Sequence, residues 1–399
     1  MSPANAPLAG YRILDLTAVV SGPLASMVLA DQGAEVIKIE PPAGDYTRAA
    51  ANRRGGESAN FLNNNRGKRS VVLDLKRPEG REVALRLAGR ADVLMQNFRP
   101  GVIERMGLDE AAVRAAAPNI VYCSISGFGE HGPYAARPVY DPLVQALSGL
   151  ATVQGGSDEA RPRLVRTILP DKLTGYLAAQ AITAALLARE RGGGGTHVRV
   201  SMLAAVVDFL WHSDMGSQTF VGDELPQAQA ASFIDLIYET ADRHISVAVQ
   251  TDAQWRALCE VLERPQWLED PRFATPALRQ EHVDERLVLT QEVLRERSAG
   301  EWLERLQAAG VPCAPVLTRS EMIAHPQVQA NALVLEQDHP SAGRLRQARP
   351  AATFDDAAAV GAPAPRLGEH GRAVLAEAGY GEAEIERLVA KGVLGEGPR

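Results

Sequence analysis

The sequence has little cysteine, no excess of positive charge and none of the glycine signatures of the common nucleotide-binding and hydrolase folds. Cys123, Cys259 and Cys313 are its only three cysteines in 399 residues. They are widely spaced, which excludes a disulfide framework or a zinc pattern, and each reads as a small buried hydrophobe. The formal net charge is −7 and no basic tail offsets it, which argues against nucleic-acid binding. The start of the chain, Met1 to Pro7, has neither a basic nor an apolar segment, so no secretory signal is read there. The apolar stretch 176–188 is too short to span a membrane. A reduced, cytoplasmic setting is the expectation. His131, His197, His212, His244, His282, His325, His339 and His370 lack metal-ligand spacing, so no metal site is expected. There is no Gly-x-Gly-x-x-Gly turn for NAD and no Gly-x-Ser-x-Gly elbow for a serine hydrolase. The run Gly192 to Gly195 is followed by no lysine-serine pair and reads as a helix C-cap rather than a phosphate loop.

What is present is ordinary core material: 46% hydrophobic and 23% charged residues. At roughly 100–200 residues per domain, the length predicts two domains, or three. Tyr11–Leu16 and Ala34–Glu40 read as strands flanking a helix opened by Ser21-Gly22-Pro23. Further strands are predicted at Ser70–Leu75, Ala91–Gln96, Ile120–Ser126 and His197–Met202. Helices are predicted between them, at Glu79–Gly89 and Asp109–Ala117. This alternation predicts a doubly wound α/β domain with a parallel sheet. The character changes after Gly216. A hairpin (Phe233–Thr240 with His244–Val249) and charged helices at Asp252–Leu262, Val283–Ser298 and Ala299–Ala309 predict a smaller α+β domain over 222–325. From 326 the chain is rich in proline and alanine with few periodic runs, ending in a helix at Glu382–Lys391.

Asp171 is the leading chemical candidate. It lies in Leu169-Pro170-Asp171-Lys172-Leu173-Thr174-Gly175, at the start of a long Ala/Leu-rich helix. Pro170 cannot continue a helix backwards, and aspartate is a preferred N-cap. The positive end of the helix dipole would favour its ionised form, and a positioned carboxylate is a usable nucleophile toward an activated acyl group. On this heptapeptide alone, an ordinary cap is the better reading. Other segments add weight. Arg66, Lys68 and Arg69 cluster before a strand and are candidates for phosphate. Leu73-Asp74-Leu75-Lys76, Asn97-Phe98-Arg99 with Arg105, and Ser126-Gly127-Phe128-Gly129 follow successive strands, where open α/β sheets bind ligands. Tyr140-Asp141 precedes an apolar helix, so Asp141 is either a cap or a second carboxylate. His131 reads as part of a surface turn.

Taken in order, these motifs resemble the class III coenzyme A transferases, the formyl-CoA and carnitine-CoA transferase family. The resemblance rests on Leu14-Asp15-Leu16-Thr17 with Gly22-Pro23, Gly33 to Glu40, and Gly44-Asp45 with Arg48. It continues through Lys68-Arg69-Ser70, Leu73 to Lys76, Asn97 to Gly101, Gly127-Phe128-Gly129, Tyr140-Asp141, Asp171 with Thr174-Gly175, and Arg189 to Val200. It is strongest over 8–205 and continues, more weakly, through Asp252–Pro315.

The resemblance implies a large α/β domain built from both chain ends (1–221 and 326–399), a small domain between them, and two ring-like subunits interlocked as a homodimer. Coenzyme A would be a substrate rather than a tightly bound cofactor. It would contact Val20, Ser21, Leu73, Asp74, Leu75, Lys76, Asn97, Phe98, Arg99, Arg105, Val139, Tyr140 and Asp141. Asp171 falls on the family's nucleophile, which passes through an aspartyl anhydride and an aspartyl-CoA thioester. The family also holds 2-methylacyl-CoA racemases, whose histidine falls at Tyr140. Tyrosine, with an ordinary pKa of about 10, is a poor base at neutral pH, so a transferase is favoured. An acyl-CoA isomerase or an intramolecular CoA transferase is the alternative, and a silent acyl-CoA binder a third reading. Formyl-CoA transferase carries glutamine where this chain has Val20, and a glycine run where it has residues 222–232. Formyl or oxalyl transfer is therefore disfavoured. Arg48, Arg163 or Arg166 is a candidate for a second carboxylate, pointing to a dicarboxylic acid such as succinate.

Overall fold

The computed structural model describes residues 6–222, 236–355 and 361–397. They form two compact units: Met1–Ala151 with Leu164–His212 and Asn331–Arg399, and Thr152–Arg163 with Ser213–Ala330.

The first unit is a mixed α/β structure around a seven-stranded sheet. From edge to edge the strands are Leu394–Gly395, Lys68–Leu73, Glu35–Glu40, Arg12–Asp15, Val93–Gln96, Val121–Ser126 and His197–Ser201. All neighbours are parallel except Leu394–Gly395, which runs antiparallel to Lys68–Leu73. Chain order thus spreads outward from Arg12–Asp15 and reverses between that strand and Val93–Gln96. Such a reversal opens a crevice at the carboxyl ends of the strands, where ligands bind in doubly wound sheets.

The central strands read as continuous apolar runs because both faces are covered. On one face Ile13, Val36, Val93, Met95 and Val121 pack against the helices Ser21–Asp31 and Leu169–Glu190. On the other, Leu14, Ile37, Leu94 and Tyr122 pack against Pro78–Ala88, Glu110–Ala116, Gly371–Glu377 and Glu382–Ala390.

Charge is also buried beneath the sheet's carboxyl end. Lys68 Nζ lies 3.1 Å from Asp15, and Lys38 Nζ lies 3.0 Å from Asp45, all four side chains being solvent-excluded. Burial opposes ionisation of Asp15, but Lys68 and Lys38 together hold its carboxyl below the usual range. Burial pulls Lys68 down to about 8 against the opposing pull of Asp15. Lys68 further donates to Pro23 O and Asn65 Oδ1 at 2.8 Å each. This corrects the reading of the 66–69 cations as a phosphate site. Arg66 is bound to Asp31 at 2.6 Å, and Arg69 to Glu35 and Glu377 at 2.6 and 2.7 Å. Cations on strands and turns facing inward are consumed by acids on neighbouring elements.

The second unit carries a three-stranded antiparallel sheet, Cys313–Pro315, His244–Val247 and Ile237–Glu239. Trp255, Phe273, Leu294 and Trp302 fill its core, supplied largely by the helices Asp252–Val261, Val283–Leu294 and Ala299–Ala308. The start of the predicted strand Phe233–Thr240, and the loop 222–232 beyond Gly222, lie outside the described residues. Cys313 is half-buried, not fully buried as its type suggests.

The hairpin Val334–His339 with Gly343–Ala348 was not legible in the sequence. Its strands lack apolar alternation and are tied instead by exposed ion pairs of Glu336 with Arg344 and Arg346 at 2.8 and 2.9 Å. Among the described residues, no helix is long and apolar enough to cross a membrane.

Candidate active site

The crevice is closed on one side by two helix starts. Ser21 begins the helix that follows the central strand, and its hydroxyl and backbone N–H lie near enough to the Asp171 carboxylate to favour its charged form. The helices that carry these residues can come this close because position 175 is glycine. A Cβ there would sit 2.7 Å from the Ser21 carbonyl and 3.1 Å from Leu24.

Asp171 is the third residue of the helix Leu169–Glu190, with Pro170 in its first turn. It is therefore not the N-cap that its sequence position allows. Ile168 occupies that place and offers no side-chain cap. Its sense of charge also differs from expectation. Burial is the largest influence and the Asp141 charge adds to it; together they push Asp171 up to about 6 against the two Ser21 hydrogen bonds. A helix start favours the carboxylate, but desolvation beside a second acid outweighs it.

Asp141 is buried and is the first residue of its own helix, Asp141–Leu147, with Tyr140 at the cap position. Its Oδ2 accepts the Asp171 backbone N–H at 3.3 Å and its Oδ1 accepts Gln145 Nε2 at 2.6 Å. Burial raises its pKa as well. Gln145 Oε1 accepts the Val165 N–H at 2.9 Å, so one amide joins Asp141 to the segment leading into Asp171. Gln145 was missed in the sequence. The available signal was its i,i+4 spacing from Asp141 on one helix face.

The turn between the central strand and Ser21 is strained and clamped. Val19 has φ of 73°, an outlier for a β-branched residue. Val20 beside it is buried. Across the switch point, Asn97 accepts the Ala18 N–H at 2.9 Å and donates to Ala18 O at 2.8 Å. The Asn97 amide is thus engaged by this chain itself. Leu73 is buried at its strand end and Asp74 accepts the Lys76 N–H at 3.1 Å. Leu75 and Phe98 are half-buried. Val139 packs against Gly127, where an added Cβ would lie 2.4 Å from it. Tyr140 is 72% exposed.

Lys76, Arg99 and Arg105 are exposed and make no ion pair among the described residues. Of the arginines proposed for a second carboxylate, Arg48 is engaged by Glu40 at 2.7 Å and by Glu57 at 3.3 Å, which removes it. Arg163 belongs to the second unit. Arg166 is exposed, in the segment that Gln145 ties to Asp141.

The sheet is thus doubly wound, with the half-buried Asp171 carboxylate beside the helix start that follows its central strand. The sequence matches CoA-transferase family III over residues 8–371. It is 34% identical to succinyl-CoA:glutarate CoA-transferase of Mus musculus, over 97% of this chain and 90% of that protein. It is also 34% identical to acetyl-CoA:oxalate CoA-transferase of Acetobacter aceti, over 95% of this chain and 97% of that protein. A crystal structure of Rv3272 from Mycobacterium tuberculosis superposes with a TM-score of 0.81 at 34% identity, covering 92% of this chain and 99% of that one. The chain belongs to CoA-transferase family III, and its general activity is the transfer of coenzyme A.

Proposed function

We propose that this chain transfers coenzyme A from succinyl-CoA to a second carboxylic acid with Asp171 as the covalent carrier. The observation that carries the reading is the half-buried Asp171 carboxylate beside the Ser21 helix start, its backbone N–H tied to the buried Asp141. Its carboxylate attacks the donor thioester carbonyl; the C–S bond breaks and CoA thiolate leaves, giving a mixed anhydride. The thiolate then attacks the aspartyl carbonyl and the donor leaves as a carboxylate. The acceptor carboxylate attacks the resulting aspartyl-CoA thioester, and the thiolate returns to the acceptor's carbonyl. Asp171 is regenerated with no net proton change. The Ser21 donors face Asp171, where charge develops when the thiolate attacks the aspartyl carbonyl, and the bound substrate must keep water from the anhydride.

Coenzyme A enters as a substrate. Lys76, Arg99 and Arg105 supply unpaired cations for its phosphates, and the turns at Val20–Ser21, Leu73–Lys76, Asn97–Arg99 and Val139–Asp141 line its path. Exposed Tyr176, Val207, Phe209 and Trp211 mark the first unit's apolar surface, which a second copy of the chain covers in a homodimer.

Succinyl-CoA is favoured because the mouse relative is named for it and because Arg166 is free to pair with a second carboxylate. Thioester exchange from succinyl-CoA to a panel of mono- and dicarboxylic acids tests this. Dicarboxylic acceptors are expected to be preferred, and Arg166→Ala to raise their KM about 10-fold, as for loss of one charged hydrogen bond, while sparing monocarboxylic acids. Preference for monocarboxylic acids by the wild type would overturn the substrate assignment.

The pH dependence follows from Asp171. Its folded pKa of about 6 lies above the ordinary 3.8, so folding disfavours its ionised form at neutral pH and that penalty fades as pH falls from 6 toward 3.8. Activity runs the other way, since only the carboxylate attacks. The rate of CoA transfer is expected to fall below about pH 6. Asp141→Asn keeps an acceptor for the Asp171 N–H but removes the charge, and should move this acid limb to lower pH. An unmoved limb would assign the shift to burial alone.

A further inference from the structure

A second set of polar side chains lies on the opposite face of the sheet from the Ser21–Asp31 helix. It lines a cavity of about 420 Å³ in the first unit, bordered by Gln96, Phe98, Ser124, His197 and Glu110. The Phe98 N–H donates to Gln96 Oε1 at 2.9 Å, and Gln96 Nε2 donates to Ser124 Oγ at 3.0 Å. Ser124 Oγ lies 2.8 Å from His197 Nε2, and His197 Nδ1 lies 2.6 Å from Glu110 Oε2.

The Glu110 end of this series is fixed by chemistry. A carboxylate accepts, so His197 Nδ1 carries a proton and donates it to Glu110. The Ser124 oxygen accepts from the Gln96 amide and meets His197 Nε2 on its other side. The contacts run in an unbroken series from the Phe98 backbone to Glu110, and such series strengthen cooperatively. The far end is anchored, because Arg114 holds Glu110 at 2.8 Å and donates to the Gly195 carbonyl at 3.1 Å. Arg199 lies 3.6 Å from the same carboxylate, and the Tyr122 ring meets His197 edge-on at 5.0 Å. Gln96 and Ser124 are buried.

The near end is the turn that matters. The Phe98 amide sits between Asn97, which clamps Ala18, and Arg99, one of the unpaired cations. We propose that His197 is a positioning residue for coenzyme A: through Ser124 and Gln96 it holds the Asn97–Arg99 turn in the form that receives the acyl-CoA. The inference rests on the reading of that turn as a coenzyme A contact. Asp171 starts a helix packed on the other face of the sheet, so the effect falls on binding and not on the chemical step.

The test uses His197→Phe, which keeps a ring of similar size, and Ser124→Ala, the smaller change. The Kd for coenzyme A, by calorimetry, and the KM for acyl-CoA are expected to rise about 10-fold in each. The KM for the acceptor acid should be unchanged and kcat should change by less than about two-fold. The two residues act in series, so the double variant should be no worse than the worse single variant. Unchanged Kd in Ser124→Ala would overturn the proposal. So would a lowered thermal midpoint with unaltered Kd, which is what a purely structural tie to the edge strand predicts. Failure of the wild type to transfer coenzyme A, or turnover retained by Asp171→Ala, would remove the catalytic reading instead. Tightness of coenzyme A binding reports on the positioning role in either case.

Discussion

Replacing Asp171 with alanine is expected to lower kcat for CoA transfer by about 10⁴-fold or more, the scale seen when a nucleophile is removed from an enzyme. Asp141, the neighbouring acid, is buried and already accepts from Gln145 and from the Asp171 backbone. The helix should persist, because Asp171 contributes no cap and alanine is a good helix former. Thermal unfolding should therefore stay close to that of the wild type while activity disappears. The side chain removed is also one whose ionisation folding disfavours at neutral pH, so a small gain in stability is consistent with the account. Steady-state kinetics together with a melting curve check both halves. Residual turnover within about 10-fold of wild type would place the nucleophile elsewhere.

Replacing Asp15 with alanine is expected to produce the largest loss of stability. Its carboxylate faces Lys68 in a solvent-excluded pair and accepts hydrogen bonds from Ser26 and from Thr17. Without it, Lys68 keeps only neutral acceptors, the Pro23 carbonyl and Asn65. Orphaning one member of a buried pair costs about 3–5 kcal/mol, a large part of the total stability of a typical domain. Removing both charges in Asp15→Leu with Lys68→Met should recover part of the loss, since no unpaired ammonium remains. Urea unfolding of the single and double variants checks this. A single variant within about 1 kcal/mol of wild type would mean that the pair contributes as little as a surface salt bridge.

The sheet was legible because its strands are buried on both faces and separated by helices, so hydrophobic runs and turn residues mark each boundary. The strand predicted at Ser70–Leu75 begins two residues earlier, at Lys68. A lysine and an arginine at its start look like a loop until their acidic partners are seen. Those partners, Asp15, Glu35 and Glu377, lie on other elements, one of them more than 300 residues away. Residue type alone therefore could not separate a phosphate cradle from internal ion pairs. The helix start that carries Asp171 was legible from Pro170 and the long helix behind it, but the approach of Ser21 depends on tertiary contact at Gly175. The C-terminal hairpin escaped notice because ion pairs, not apolar alternation, hold its two strands in register. Gln96, Ser124 and His197 were likewise invisible as a set, because they come from three different strands.

The most direct measurement is mass spectrometry of the protein after incubation with succinyl-CoA, with borohydride or hydroxylamine to trap an activated carboxyl. The account predicts a modification confined to the peptide containing Asp171 and absent from Asp171→Ala. Thioester turnover with Asp171 unmodified, accompanied by proton exchange at the α-carbon of the acyl group in deuterated water, would contradict it and indicate acyl-CoA isomerisation.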